Sequence, residues 1–161
     1  MTAASDAVQQ LIDEHQKIKG LLERLTAGAD SQSRKAVLEQ LKGVLTIHNA
    51  VEENLIYPAL SKVAHKRAES QKLYSETAEA DMAIFEIDAM LKAGDDAEFP
   101  KKAEKLRAAI LEHIDDEESK AFRHLQEKSP PGQTQMLNDS VREFRAKFHM
   151  SGARSATKGE T

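Results

Sequence analysis

Two stretches of the sequence place a histidine and a glutamate four residues apart. His48 opens "HNAVEENLIYPAL" and is followed by Glu52, and His113 opens "HIDDEESKAFRHL" and is followed by Glu117. The two stretches share the pattern H-x-x-x-E-E-x-x-x-[YF]-x-x-L. On a helix, residues four apart lie on one face, with Cβ atoms roughly 5–6 Å apart. Each stretch therefore presents an imidazole and a carboxylate to the same small volume.

The first pair falls where a hydrophobic stripe would otherwise continue. Leu41 and Leu45 lead into the stretch and Leu55 leads out of it, and the two positions between them hold His48 and Glu52. An unpaired carboxylate in a helical core is costly, so a positive partner is expected beside it. Imidazole and carboxylate together are ligands that divalent iron, manganese or zinc accepts. The pattern therefore predicts a metal site inside the protein.

The helix before each stretch offers one further polar residue to the same core. His15 lies 33 residues before His48, and Asp81 lies 32 residues before His113. Both are followed by apolar residues at the same offsets, so the chain is predicted to form two helical hairpins of similar design. The candidate metal ligands are His15, His48, Glu52, Asp81, His113 and Glu117. These candidates are more than one tetrahedral ion needs, so we expect two ions, with Glu52 and Glu117 able to bridge them. Two divalent cations and the three carboxylates together carry a net charge of one positive unit.

Ordinary roles are the alternative for each of these residue types. A single histidine in a helical stripe is more often a hydrogen-bonded core residue than a ligand, and a Glu-Glu pair is usually solvated. Metal binding is favoured because three histidines and two glutamates fall on core stripes and two of the pairs repeat. We expect Glu53 and Glu118 to support the site from outside or to face solvent. The remaining histidines are expected at the surface or in ordinary packing: His65, His124 and His149.

The aromatic residues of the repeated pattern have a simpler expected role. Tyr57 and Phe122 occupy the same position in the two stretches. We expect both rings to pack in the core, with a hydrogen bond from the Tyr57 hydroxyl near the site as the less favoured alternative.

Four amphipathic helices are needed to position the candidate ligands, and the apolar periodicity predicts them. They run from about 6 to 27, 33 to 55, 70 to 92 and 98 to 128, and a shorter accessory helix covers about 134 to 148. Ser5 is the expected N-cap of the first helix, and Pro58 is expected to kink or end the second. The predicted fold is an all-α, up-down antiparallel four-helix bundle with a short C-terminal accessory helix. Residues 1–150 form one domain, and residues 151–161 are expected to be a disordered tail.

Composition excludes several kinds of protein. The 161 residues carry a net charge of −4, which gives no reason to expect nucleic acid or an anionic membrane as partner. With no cysteine, thiolate zinc sites, cysteine-bound iron–sulfur clusters and cysteine nucleophiles are excluded. The apolar runs are too short to span a bilayer, and no secretory signal is visible at the N-terminus, so we expect a cytoplasmic protein.

These stretches, together with "DEH" around His15, resemble the hemerythrin-like HHE cation-binding domain over about residues 6 to 128. The resemblance implies a non-haem di-iron centre bridged by carboxylates and an oxo or hydroxo group, with manganese or zinc as other possible metals. It also implies binding or sensing of dioxygen or nitric oxide, or handling of peroxide. The positions that carry over are His15, His48, Glu52, His113 and Glu117. Ferritin-like bundles are the nearest competitor, but they place glutamate first, at a spacing of three.

The third helix departs from the family pattern, which usually has a histidine there. Asp81 occupies that register, and as a ligand it would favour oxidised metal and weaken reversible dioxygen binding. Glu76, Thr77 and Asp88, on nearby faces of the same helix, are weaker candidates. The remaining alternative is that the third helix supplies no ligand.

Several functions follow as expectations. A binding protein for a small diatomic or peroxide, monomeric or a weak homodimer, is favoured over a di-iron oxidase or a catalase-like, peroxide-consuming enzyme. Iron storage is a further alternative. Iron-centre repair is less favoured because the repair proteins of the family usually carry an additional cysteine-bearing segment. A structural module with a vestigial site is the last alternative.

Overall fold

The computed structural model describes residues 6–156, and within that range the chain forms five helices and no strand. Three helices are uninterrupted: α1, Ala7–Ala27; α3, Arg67–Ala93; and α5, Pro131–Ala156. Helix α2 consists of the α-helical segments Ser31–Val51 and Tyr57–Lys62, joined by a π-helical turn, Glu52–Ile56. Helix α4 consists of the α-helical segments Phe99–Asp116 and Phe122–Lys128, joined by a π-helical turn, Glu117–Ala121. Helices α1 and α3 each pack against both α2 and α4, which closes a four-helix bundle, and α5 lies against α1 and α2. The predicted all-α bundle with an accessory helix is confirmed.

Local signals explain most of the helix ends. The Asp6 carboxylate accepts a hydrogen bond from the Val8 backbone N–H and so caps α1, whereas the predicted cap, Ser5, lies outside the described residues. Asp30 caps α2 in the same way through the Ser33 backbone N–H. Gly94 ends α3 in the left-handed conformation, with a φ of 73°.

A π-helical turn interrupts both α2 and α4, and it begins at Glu52 in α2 and at Glu117 in α4. In α2 the Tyr57 N–H bonds to the Glu52 carbonyl, and in α4 the Phe122 N–H bonds to the Glu117 carbonyl. Each turn holds one more residue than an α-helical turn, so the aromatic ring five residues on returns above the glutamate. The spacing of glutamate and aromatic residue in the repeated pattern is thereby explained.

The expected break at Pro58 is corrected by this turn. The irregularity begins at Glu52, and the chain stays helical through Lys62. Pro58 lies in the first turn of the α-helical segment after the π turn, where its missing N–H is tolerated. Arg123 holds the matching position in α4, so the π turn does not require a proline.

The buried apolar residues form two clusters at opposite ends of the bundle. One cluster includes Ile18, Leu41 and Ile110, and the other includes Leu11 and Phe122. The predicted ligands of α1, α2 and α4 fall between them along the chain. The bundle therefore has an apolar layer at each end and a polar layer in the middle.

Helix α5 extends further than predicted at both ends. It packs on the second apolar cluster through Val141, which is buried, and through Leu137 and Phe144. Its last turns cover residues 151–156 of the segment expected to be a disordered tail, and residues 157–161 lie outside the described range. Across residues 6–156, no helix is both long enough and apolar enough to cross a membrane.

The backbone at Gly94 provides a test of the α3 end. Replacing Gly94 with Ala places a Cβ in a left-handed conformation and should lower the free energy of unfolding by about 1 kcal/mol. The matched control is Gly20→Ala inside α1, where a new Cβ meets no atom within 4 Å. It should raise stability by up to about 1 kcal/mol. Urea denaturation of the metal-free variants measures both, and equal effects would contradict the assignment.

Candidate metal centre

The polar layer is built from one or two inward side chains of each contributing helix. His15 comes from α1, His48 and Glu52 from α2, and Glu117 from α4, and one ligand atom of each lies within 4.8 Å of all the others. All four side chains are buried, and both glutamates are 0% exposed. The structure thus brings four of the six predicted ligands into one group.

His113 joins this group through Glu117. Its Nε2 atom lies 3.0 Å from Glu117 Oε1, while Glu117 Oε2 lies 3.1 Å from His15 Nε2. On the other side, Glu52 Oε1 lies 3.1 Å from His48 Nε2 and 3.9 Å from His15 Nε2. Each glutamate therefore contacts two imidazoles, and Glu117 does so with a different oxygen for each.

A carboxylate holds the outer nitrogen of each imidazole. The Nδ1 atoms of His15, His48 and His113 lie 2.8 Å from carboxylate oxygens of Glu118, Glu14 and Glu76, respectively. A hydrogen bond at one ring nitrogen fixes the ring's orientation and aims the other nitrogen at a metal.

Only part of this outer set was anticipated. Glu118 was expected either to support the site or to face solvent, and the structure shows it supporting His15. Glu14 and Glu76 were not assigned this role. The only signal for Glu14 was its place beside His15 in "DEH".

The Tyr57 ring packs in the second apolar cluster as predicted, and its hydroxyl lies in the polar layer, so the less favoured alternative is found as well. The hydroxyl is 2.7 Å from Glu117 Oε1, 3.0 Å from Glu52 Oε2 and 3.2 Å from His113 Nε2. Its single hydrogen serves one carboxylate at a time. Burial and the two carboxylate charges raise the pKa of Tyr57 well above its ordinary value, so the phenol stays protonated.

Phe122, the repeat partner of Tyr57, packs as predicted. Its ring stacks on that of His15, with centroids 5.8 Å apart and planes 6° from parallel. The same sequence position thus supplies a polar group in one hairpin and an apolar wall in the other.

The three imidazoles carry raised pKa values. Burial lowers the pKa of each ring, but the facing carboxylates outweigh it and raise the pKa of His15 and His113 to about 9 and of His48 to about 10. For Glu52, burial raises the pKa, and the His48 charge and contacts with other histidines reverse this and lower it well below its usual range. Without metal, protons on the three imidazoles thus supply the positive charge that faces the buried carboxylates.

Within the polar layer, three buried polar atoms have no well-oriented hydrogen bond to any of the described residues. They are His15 Nε2, Glu52 Oε1 and Glu117 Oε2, and they face one another. Buried polar atoms in this condition cost free energy, and a cation would satisfy all three at once. One nitrogen and two carboxylate oxygens are suitable donors for iron, manganese or zinc, so the residues fit a metal.

Asp81 lies apart from this group. Its carboxylate accepts a hydrogen bond from Asn49 Nδ2, 3.3 Å away, and partial loss of solvent around it raises its pKa. Together with His48 and His113 it lines a cavity of about 20 Å³. From α3 the polar layer receives Thr77, whose hydroxyl lies 3.3 Å from that of Tyr57, and the outer carboxylate of Glu76.

The remaining histidines lie away from the centre. His65 and His149 are exposed, and His124 pairs with Glu69 at 2.9 Å. Their positions agree with the expected surface and packing roles.

Comparison with known proteins agrees with this geometry. The family model described as Hemerythrin HHE cation binding domain matches residues 6–125. The chain is also similar to a DNA nickase from Nostoc sp. (strain PCC 7120 / SAG 25.82 / UTEX 2576), with 24% identity over 144 residues. That match covers 89% of this chain but 40% of the relative, so the chain spans well under half of the relative's length.

The raised histidine pKa values predict proton release on metal binding. At pH 7 His15, His48 and His113 are protonated, and a metal must displace those protons, so loading Zn²⁺ should release about three protons per chain. The affinity for Zn²⁺ should increase with pH and level off once the pH exceeds the histidine pKa values of about 9 to 10. Calorimetry in buffers of different ionisation enthalpy counts the protons.

The control for this measurement is His124→Gln, outside the centre, which should leave the proton count unchanged. Release of fewer than one proton per chain by the unaltered protein would contradict the assignment.

Proposed function

Because the chain belongs to the hemerythrin HHE cation binding domain family, we propose that its polar layer holds two iron ions and binds or senses dioxygen, nitric oxide or peroxide. The observation that carries the proposal is the double use of Glu117. Its two oxygens face His15 and His113, which lie on different helices. A carboxylate that bridges two metal ions needs the same arrangement, with one oxygen for each ion.

The proposed ligands are the five residues that carry over from the family pattern. The imidazoles of His15, His48 and His113 would each supply Nε2, because their Nδ1 atoms are engaged by outer carboxylates. Glu52 and Glu117 would bridge. Glu117 faces a different imidazole with each oxygen, whereas Glu52 faces His48 and His15 with Oε1 and the Tyr57 hydroxyl with Oε2.

The outer carboxylates have cations of their own. Glu14 pairs with Arg145. Lys72 lies 3.1 Å from Glu76, and Lys19 lies 3.9 Å from Glu118. The buried glutamates Glu52 and Glu117 are therefore the charges that bound metal would balance. The two-sided contacts of Glu117 and the family, not this balance, support two ions.

The residues around the centre restrict what can approach it. The cavity beside His48 and His113 has a volume of about 20 Å³, which is room for a water-sized or diatomic molecule but not for an organic substrate. Iron, when bound, would supply electrons to such a molecule. The Tyr57 hydroxyl, held as a neutral phenol between the two glutamates, is a hydrogen-bond donor within the polar layer.

The alternatives are less favoured by the same observations. An oxidase or a catalase-like enzyme was suggested by Asp81 as an additional ligand, and Asp81 lies outside the ligand group. Iron storage as a mineral would require a much larger cavity than the one beside the histidines.

The name of the Nostoc relative raises DNA cleavage as a further possibility. A metal that cleaves DNA must contact a phosphodiester, but Glu52, Glu117 and His15 are each 0% exposed. Since the chain spans 40% of that relative, nicking by the relative can also depend on its other part. We therefore do not extend this activity to the chain.

The first test is the metal content of protein purified without a metal-binding tag. We expect two irons per chain, and less than one in Glu117→Ala, because that variant loses the residue shared by two imidazoles. Glu112→Ala, at an exposed position of the same helix, should retain the metal. Less than one transition-metal ion per unaltered chain would contradict the proposal.

The same preparation tests the proposed ligand. Reduced protein mixed with dioxygen in a stopped-flow spectrometer should show an absorption change that reverses when dioxygen is removed. Rapid, irreversible formation of ferric protein would instead indicate an oxidase.

Asp81 is tested separately by replacement. Since its carboxylate lies at the edge of the cavity and bonds to Asn49, Asp81→Ala should leave two irons per chain and an unchanged optical spectrum. Asp81→His restores the residue type that the family usually has there and should change the spectrum if its ring reaches the metal. Loss of one iron in Asp81→Ala would make Asp81 a ligand after all.

A further inference from the structure

One of the outer carboxylates is held by a residue from outside the four-helix bundle. Arg145 of α5 donates from Nη1 to Glu14 Oε1 at 2.6 Å and from Nη2 to Glu14 Oε2 at 3.2 Å. The same Glu14 Oε2 atom lies 2.8 Å from His48 Nδ1. A continuous chain of hydrogen bonds thus runs from the accessory helix to a proposed metal ligand.

This connection is unlike those of the other two histidines. Glu118, which holds His15, and Glu76, which holds His113, have lysines as their nearest cations: Lys19 at 3.9 Å and Lys72 at 3.1 Å. Both lysines are partly or largely exposed, whereas the Arg145 side chain is 17% exposed. A guanidinium can donate two parallel hydrogen bonds to a carboxylate and so fix the plane of the carboxylate, which a lysine ammonium cannot do.

We propose that Arg145 is a positioning residue of the metal centre, which sets the orientation of His48 by fixing Glu14. Without the guanidinium, the Glu14 carboxylate is free to rotate toward solvent, and the His48 ring loses its fixed acceptor. The inference rests on the proposed metal site.

The docking of α5 does not itself depend on Arg145. Val141 is buried in the second apolar cluster, Phe144 packs against it, and Asn138 Oδ1 accepts a hydrogen bond from the Ala7 backbone N–H at 3.0 Å. Removing the Arg145 charge should therefore leave α5 in place while it releases Glu14. A role in docking and a role in positioning are thus experimentally separable.

The connection also works in the opposite direction. If docked α5 strengthens metal binding through Glu14, bound metal must stabilise the docked α5 by the same free energy. The accessory helix is in this way coupled to the state of the centre, although it supplies no ligand.

The test compares Arg145→Met with Arg142→Met in the full chain. Arg142 is an exposed residue of the same helix that pairs with Asp139 three residues away. With Co²⁺ as the probe, chelator-driven release, followed by the metal's visible absorption, should be about 10-fold or more faster in Arg145→Met. Arg142→Met should stay within about twofold of the unaltered protein. Equal release rates in the two variants would overturn the proposal.

A second measurement needs no metal. In metal-free protein with ¹⁵N-labelled histidine rings, Arg145→Met should shift the His48 ring signals and leave those of His113 unchanged. Unchanged His48 signals would overturn the inference even if the unaltered protein binds no Co²⁺, a result that by itself contradicts only the proposed function. If Arg145→Met does not fold, Arg145→Lys replaces it: a single ammonium cannot form the paired contact, so the same changes are expected.

Discussion

The burial of two carboxylates in the centre of a helical bundle is the constraint on which the rest of the structure depends. Glu52 and Glu117 are fully enclosed, and water cannot neutralise them. Three imidazoles surround them, and the Nδ1 atom of each imidazole is hydrogen-bonded to a further carboxylate. The apolar residues are accordingly divided into two clusters, one on each side of this layer. The stability of the fold and the chemistry of the centre are therefore set by the same charges.

The two π-helical turns are the local device that meets this constraint. In a regular α-helix, the residue five positions after a glutamate points well away from it. The wider turn brings the Tyr57 hydroxyl onto both glutamates and places the Phe122 ring against His15. One additional residue per helix thus closes the polar layer on the side of the second apolar cluster. Because the turn occurs at the same place in both hairpins, it belongs to the repeated pattern and not to Pro58.

Sequence periodicity predicted the bundle and the inward direction of His15, His48, Glu52, His113 and Glu117, because residues four apart must share a helical face. It could not predict the outer carboxylates, since Glu14 and Glu76 reach across to rings on other helices, and such contacts depend on helix packing. The π turns were missed for a related reason: an α-helical register was assumed throughout, which placed the irregularity at Pro58 and made the Tyr57 hydrogen bond the less favoured alternative. For Asp81, equal spacing along the chain gave no contact with the group of His15, His48, Glu52 and Glu117; its side chain bonds to Asn49, and its role as a ligand stays a prediction.

The departure at Asp81 has a structural consequence for the proposed centre. The Glu118 carboxylate holds His15, whereas its repeat partner, Glu53, faces like charges. Burial and the charges of Asp81 and Glu52 raise the pKa of Glu53. No imidazole from α3 therefore fills the space beside His48 and His113, and the cavity of about 20 Å³ lies there. If α3 supplies no ligand, as proposed, the metal position beside His113 would border this cavity. The residue that breaks the repeat would then leave room there for a small ligand.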